Sequence, residues 1–258
     1  MEIVLPTKKQ KPDTTSPENL VIFSKPKVGK TTLFADLPDC LILDLESGSK
    51  YVEALKIGAA NVEEIKAIGK AIKDAGYPYK YVAVDTITAL EEICIPFAEE
   101  LYSQSPMGKS WFSEGKQKYG SILNMPNGAG YPWLREAFST IIAYIKKWAP
   151  RVILAGHVKD VLLEKNGAEF TSMDLDLTGK LKRIIMQHSD AIGYLYRKGD
   201  TNILSFKTKD DVSCGARPIH LKNKEFEISK INEDGSVTVS WYRDWETDRK
   251  STRLNSSH

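Results

Sequence analysis

Leu20-Val21-Ile22-Phe23-Ser24-Lys25-Pro26-Lys27-Val28-Gly29-Lys30-Thr31-Thr32 decides the fold. Four consecutive apolar residues predict a strand buried on both faces. Ser24 to Gly29 carries Pro and Gly among polar residues and predicts a tight loop. Gly-Lys-Thr-Thr then opens a helix. Strand, loop and helix in that order make a cradle for the phosphates of a nucleotide. Backbone N–H groups curl around the anion, and the positive end of the following helix points at it. On this reading Ser24, Lys25, Pro26, Lys27, Val28, Gly29, Lys30, Thr31 and Thr32 form the nucleotide-binding loop. The Lys30 ammonium reaches the outer phosphates. The Thr31 hydroxyl is a ligand for Mg²⁺, a cation that prefers hard oxygens and keeps several waters. Gly29 lets the backbone approach the phosphate where a Cβ would obstruct it. One departure stands out: the pattern places Gly where this chain has Ser24. The competing reading is a chance Gly-Lys-Thr in a surface turn, and the buried strand before it weighs against that.

The chain has 258 residues, 41% hydrophobic and 27% charged, enough for one α/β domain. The expected layout is a loose polar arm over 1–17 and a nucleotide-binding domain over 18–243. The residues Asp248-Arg249-Lys250-Ser251-Thr252-Arg253-Leu254-Asn255-Ser256-Ser257-His258 resemble the in-frame translation of a common DNA-sequencing adapter. Residues 244–258 are therefore set aside from fold reasoning, the other reading being a genuine polar tail. The net charge of +2 comes from Asp248–His258 alone, and across residues 1–247 basic and acidic residues balance. No apolar run is long enough to span a bilayer and no signal peptide is evident, so a cytoplasmic protein is expected. Cys40, Cys94 and Cys214 lie far apart with no metal-ligand spacing.

Strands and helices alternate through the first two thirds. Leu41–Leu45, Tyr81–Asp85 and Val152–Ala155 are short apolar runs of the kind buried in parallel sheets. Helices are predicted over Asn61–Ala75, with Asn61 and Glu64 as a capping box and Gly76 as the stop, over Thr88–Leu101 and over Trp133–Ala149. From Ala191 the pattern changes. Ala191–Tyr196 with Asn202–Lys207, and Ile228–Ile231 with Val237–Tyr242, each flank a turn and read as hairpins. The expected fold is α/β: a mostly parallel central sheet flanked by helices, with antiparallel strands near the C-terminus. Tyr102–Pro132 reads as a long irregular segment rich in Gly, Pro, Ser and aromatics.

Three polar residues follow the strands. Asp85 ends one, where a phosphate-loop enzyme needs a carboxylate that holds a metal-bound water. Its alternative role is to cap the next helix. Glu46 lies just past another strand, where ligands bind in α/β sheets, and suits a water-orienting base opposite the terminal phosphate. The alternative is a solvated loop carboxylate. His157 reads equally as a phosphate sensor or a structural histidine.

Leu43-Asp44-Leu45-Glu46, Val82-Ala83-Val84-Asp85-Thr86 and Leu154-Ala155-Gly156-His157 together resemble the core of RecA-like P-loop ATPases. The likeness is greatest to compact phage and prophage nucleotide-binding proteins that include single-strand annealing recombinases, and it covers about residues 18–222. It implies ATP and Mg²⁺ as ligands, Glu46, Lys30 and His157 as catalytic residues, and Thr31 with Asp85, through water, at the metal. It also implies a homo-oligomeric ring or filament, single-stranded DNA as partner, and recombination or replication proteins as associates. If phage-encoded, the protein would act in a bacterial host's cytoplasm. The implied DNA-contacting loops are Tyr102–Pro132, after the Asp85 helix, and Lys159–Lys180, after His157. A finger reaching a neighbour's nucleotide corresponds to Cys214-Gly215-Ala216-Arg217, where Arg217 is present and Gly215 replaces the expected Lys.

The residues themselves make a separate case for DNA. Lys109, Trp111, Phe112, Lys116, Lys118, Tyr119, Tyr131 and Trp133 interleave cations with rings, and Lys180, Lys182 and Arg183 form a second basic cluster. Cations track phosphates while rings stack on bases. The other reading puts the rings in the core and leaves the lysines as ordinary surface charge. Three functions are carried forward: an annealing or recombination ATPase, a nucleotide-switched loader of a replicative helicase, and a small-molecule P-loop kinase. The last lacks the dense arginine lid that clamps a transferred phosphoryl group.

Overall fold

Side chains alternate across a strand, so an apolar run without a polar face must be covered on both sides. In the computed structural model, β1 (Asn19–Ser24) does this. Leu20 and Ile22 pack on one face with Leu33 and Phe34 of α1 (Lys30–Ala35). Val21 and Phe23 pack on the other, with helices that follow later in the chain. The structure describes residues 16–165, 168–208 and 212–240, together with Leu5, Thr7 and Lys8. The expected adapter segment 244–258 and most of the 1–17 arm lie outside the described residues.

After α1 come β2 (Cys40–Asp44), β3 (Leu55–Gly58), α2 (Val62–Asp74), β4 (Tyr81–Asp85) and α3 (Ile87–Gln104). Then follow α4 (Lys116–Tyr119), α5 (Tyr131–Ile145), β5 (Arg151–Lys165), β6 (Ala168–Leu175), α6 (Leu181–Gln187) and β7 (Ala191–Lys198). The chain continues through β8 (Thr201–Ser205), β9 (Gly215–Ala216), β10 (Glu225–Ile231) and β11 (Val237–Val239). The sheet order is β11-β10-β8-β7-β1-β5-β4-β2-β3, with β6 on β5 and β9 on β7. Strands β7 to β3 in that order are parallel, while β8, β10 and β11 are antiparallel additions. The expected α/β architecture is therefore the observed one. Helices α2, α3, α5 and α6 cover the face that carries Val21, Leu43, Val84 and Leu154. The opposite face takes α1 and the apolar side of β8 and β10, through Leu204 and Ile228.

Local signals explain the helix ends. Asn61 Oδ1 accepts from the Glu64 N–H at 2.8 Å, and Glu64 returns a bond to the Ala60 N–H at 2.7 Å. The reciprocal bond thus lands one residue earlier than in the usual capping box. Gly76, at φ 75, ends α2 in the left-handed region that favours glycine.

Two expectations are corrected. Lys159–Lys180 is not simply a loop: β5 runs on past Ala155 and pairs antiparallel with β6, from Val158↔Leu175 to Lys165↔Ala168. The apolar run stops at Ala155 because the strand leaves the double-sided core there. Tyr102–Pro132 holds α4 and several short helical turns instead of irregular chain. Buried Glu99 of α3 organises it, accepting from Lys116 Nζ at 3.0 Å and from the Ile122 N–H at 3.3 Å. In the second expected hairpin β10 pairs with β11, and Trp241 and Tyr242 lie outside the described residues. Among the described residues no helix is long and apolar enough to cross a membrane.

Candidate nucleotide site

Parallel register brings four polar residues to one edge of the sheet. Ser24 lies beside His157, Asp85 beside Ala155, and Asp44 beside Asp85. This is the carboxyl edge, where open α/β sheets bind ligands. The phosphate loop leaves β1 there and turns into α1, with left-handed backbone at Lys27 (φ 62) and Gly29 (φ 105).

Ser24 is fully buried, and its backbone is not in the left-handed region that requires glycine. Its hydroxyl accepts from Lys30 Nζ at 2.9 Å and donates to the Lys25 carbonyl at 2.8 Å. The departure from the loop pattern therefore has a local use: the serine holds the lysine inward. Lys30 is only 6% exposed. Burial lowers its pKa, and the carboxylates of Asp85 and Glu46 push it back up.

Thr31 Oγ1 donates to Asp85 Oδ2 at 2.6 Å. Burial raises the Asp85 pKa. The bond from Thr31 and the Lys30 charge pull it down, while Glu46 and Asp44 push it further up. Asp85 does not cap α3. Thr86 does, its Oγ1 accepting from the Ala89 N–H at 3.2 Å, which leaves Asp85 to Thr31.

Glu46 turns into the same cleft. Thr86 Oγ1 donates to its Oε1 at 2.6 Å, and His157 Nε2 lies 3.0 and 3.2 Å from its two oxygens. The His157 N–H donates to Thr88 Oγ1 at 3.3 Å, Thr88 donates to the Asp176 carbonyl at 3.2 Å, and the Asp176 N–H donates to the His157 carbonyl at 2.9 Å. Lys30, Glu46, Asp85 and His157 thus converge on one cleft. Among the remaining loop residues Lys25, Pro26 and Lys27 are exposed, while Val28 and Thr32 are half-buried.

The sequence reading gave Asp44 no task of its own. In the structure it clamps the turn that aims Glu46, accepting from the N–H groups of Glu46 and Gly48 at 3.1 Å, from the Ser49 N–H at 2.9 Å and from Ser49 Oγ. An aspartate followed by Ser and Gly is the available sequence signal for such a turn. Burial pushes the Asp44 carboxyl up, and the bonds from Ser49, Glu46 and Gly48 outweigh it, so its pKa ends below the ordinary value. A carboxyl with a lowered folded pKa stabilises the fold above the ordinary range and loses that contribution as pH falls through the folded pKa. Asp44→Asn is expected to destabilise the fold by about 1–2 kcal/mol at neutral pH. In urea unfolding the gap from wild type should close below about pH 4, as the wild-type carboxyl protonates.

The expected DNA contacts divide. Lys109, Lys118, Lys180 and Arg183 are exposed. Lys116 is also exposed but pairs with Glu99, and Lys182 pairs with Asp174. Trp111 is corrected: it is 2% exposed, packed edge-on against Tyr102 with centroids 5.8 Å apart, and presents no free face to a base. Trp133 is partly buried against the core. Tyr131 remains exposed at 37%. Arg217 lies by the start of β7, at the opposite edge of the sheet from the cleft. Its Nη2 donates to the Gln187 carbonyl at 2.8 Å, and Nη1 lies 3.4 Å from Asp190 Oδ1, so the arginine is engaged within its own subunit.

Fold and cleft together define a P-loop ATPase core of RecA-like architecture. Residues 16–225 match the AAA domain family, and the chain belongs to it. No curated protein matches the chain. Among solved structures it is similar to a KaiC-like protein of the hyperthermophilic archaeon Pyrococcus horikoshii, at 10% identity over 86% of this chain and 89% of that one. The TM-score is 0.41, a likeness too loose to carry an argument about function.

Proposed function

We propose that the chain binds ATP with Mg²⁺ and hydrolyses it, and that turnover serves the annealing or recombination of single-stranded DNA by an oligomer of this protein. The observation that carries the hydrolase reading is the Glu46 carboxylate, fixed by Thr86 and His157 across the cleft from Lys30. The oxygen donors suit the metal. Thr31 and Asp85 already share a hydrogen bond, and among the described residues no group of three or more His, Cys, Asp or Glu is placed to hold an ion alone. Mg²⁺ typically takes one or two protein ligands, with waters and substrate phosphates completing its shell. When bound it supplies charge neutralisation on the phosphate oxygens.

The chain's own residues do the rest. Lys30 neutralises the outer phosphates from within the loop. Glu46 orients the attacking water and takes its proton as the new P–O bond forms and the bond to the leaving diphosphate breaks. Thr86 and His157 hold that carboxylate in one orientation. His157 also ties the cleft to Asp176, at the foot of the β5–β6 hairpin, through the Thr88 hydroxyl. Support for the DNA part is the exposure of Lys180, Arg183, Lys109, Lys118 and Tyr131. The test is steady-state ATP turnover with and without single-stranded DNA over a range of salt. Stimulation that weakens with salt is the expected result. Turnover indifferent to DNA, with no DNA bound at low salt, would reject the DNA part and leave the ATPase standing.

A further inference from the structure

A buried polar chain stands behind the phosphate loop. Asn202 of β8 is 3% exposed. Its Nδ2 donates to Ser229 Oγ at 2.9 Å, and its Oδ1 accepts from Arg197 Nε at 3.1 Å. Ser229, on β10, is equally buried. A Cβ placed on Gly29 would stand 3.5 Å from Asn202 Nδ2, so this amide backs directly onto the loop's glycine. Arg197 is delivered to the same place by register. β7 runs parallel to β1 with Leu195 beside Ser24, and Arg197 follows two residues on. With Lys25 and Val28 of the loop it lines a cavity of about 470 Å³.

Burying an amide is costly unless its hydrogen bonds are made, and Asn202 spends its oxygen on an exposed arginine. That contact fixes the Nε edge of the guanidinium and leaves its two Nη groups without a hydrogen-bond partner among the described residues. Among those residues Arg197 also forms no ion pair. A guanidinium held at one edge, with its fork open beside a phosphate-binding loop, is arranged for oxyanions.

We propose that Arg197 is a further nucleotide contact, reaching the phosphates held by Ser24–Thr32, and that Asn202 is its positioning residue. The inference rests on the nucleotide-binding reading above. It commits to phosphate, so it concerns ATP and inorganic triphosphate alike.

The test is equilibrium binding of both ligands to wild type, Arg197→Ala, Arg197→Lys, Asn202→Ala and the double variant Arg197→Ala/Asn202→Ala, with Lys30→Ala alongside. Arg197→Ala is expected to weaken both ligands about tenfold, as befits one charge-assisted contact. Arg197→Lys should recover little, because an ammonium has no Nε edge for Asn202 to hold. Asn202→Ala should cost less, and the double variant no more than Arg197→Ala, since one residue acts through the other. Arg197 is exposed, so the single variants Arg197→Ala and Arg197→Lys are read free of any defect from Asn202→Ala. Wild-type affinity in Arg197→Ala, with affinity lost in Lys30→Ala, overturns the Arg197 assignment alone. Losses that multiply in the double variant overturn the role of Asn202. Wild-type affinity in Lys30→Ala removes this lysine from the site, and failure of the wild type to bind either ligand overturns the nucleotide reading itself.

Discussion

Lys30→Ala is expected to lose both ATP turnover and the rise in melting temperature that ATP with Mg²⁺ gives the wild type. A ligand present at a hundredfold over its Kd stabilises a protein by about 2.7 kcal/mol. For a domain of this size that is a shift of roughly 5–10 °C. A loss of affinity of about a thousandfold, near 4 kcal/mol, removes the shift at the same concentration. The ligand-free fold should change little, because two effects oppose each other. Alanine removes a buried ammonium whose desolvation already depresses its pKa. It also leaves Asp85 without its nearest cation, in a cleft where Glu46 and Asp44 push the same carboxyl up. Differential scanning fluorimetry with and without nucleotide separates the outcomes. A nucleotide shift of wild-type size in Lys30→Ala would remove this lysine from the site.

What was legible from sequence follows from the length scale of each signal. Local signals read well. Val21 and its neighbours are apolar on both faces, Asn61 with Glu64 marks a helix start, and Gly76 marks its end. The three polar positions at the strand ends, Glu46, Asp85 and His157, were legible because each stands at a fixed offset from an apolar run. Contacts between residues far apart in sequence were not. Nothing in the primary structure says that Thr86, 40 positions away, donates to Glu46, or that Asn202 backs Gly29. Trp111 misleads for the same reason: its lysine neighbours suggest an exposed ring, while its burial is decided by Tyr102 on α3. The hairpin beyond His157 was missed because β5 leaves the double-sided core and loses the apolar run that announces a buried strand.

Glu46→Gln separates chemistry from binding more cleanly than Lys30→Ala does. Thr86 Oγ1 donates to Glu46 Oε1, and the shorter His157 contact is to that same oxygen. One carbonyl oxygen has two acceptor sites, so the glutamine amide can keep both neighbours and preserve the shape of the cleft. What it cannot do is accept a proton. ATP affinity should therefore stay within about threefold of wild type, while the turnover number falls by about a thousandfold, in the range that general-base groups contribute. That fall corresponds to about 4 kcal/mol in the activation barrier. Thr86→Val supplies the contrast: it keeps the carboxylate and removes one of the two bonds that aim it. Its loss should be smaller, about tenfold, the scale of one hydrogen bond to a charged group. Single-turnover measurements at saturating nucleotide report the chemical step alone, so a slow product release does not mask either change. Wild-type turnover in Glu46→Gln would strip Glu46 of its role as base and leave the clamp by Thr86 and His157 as a structural tie between β2, β4 and β5.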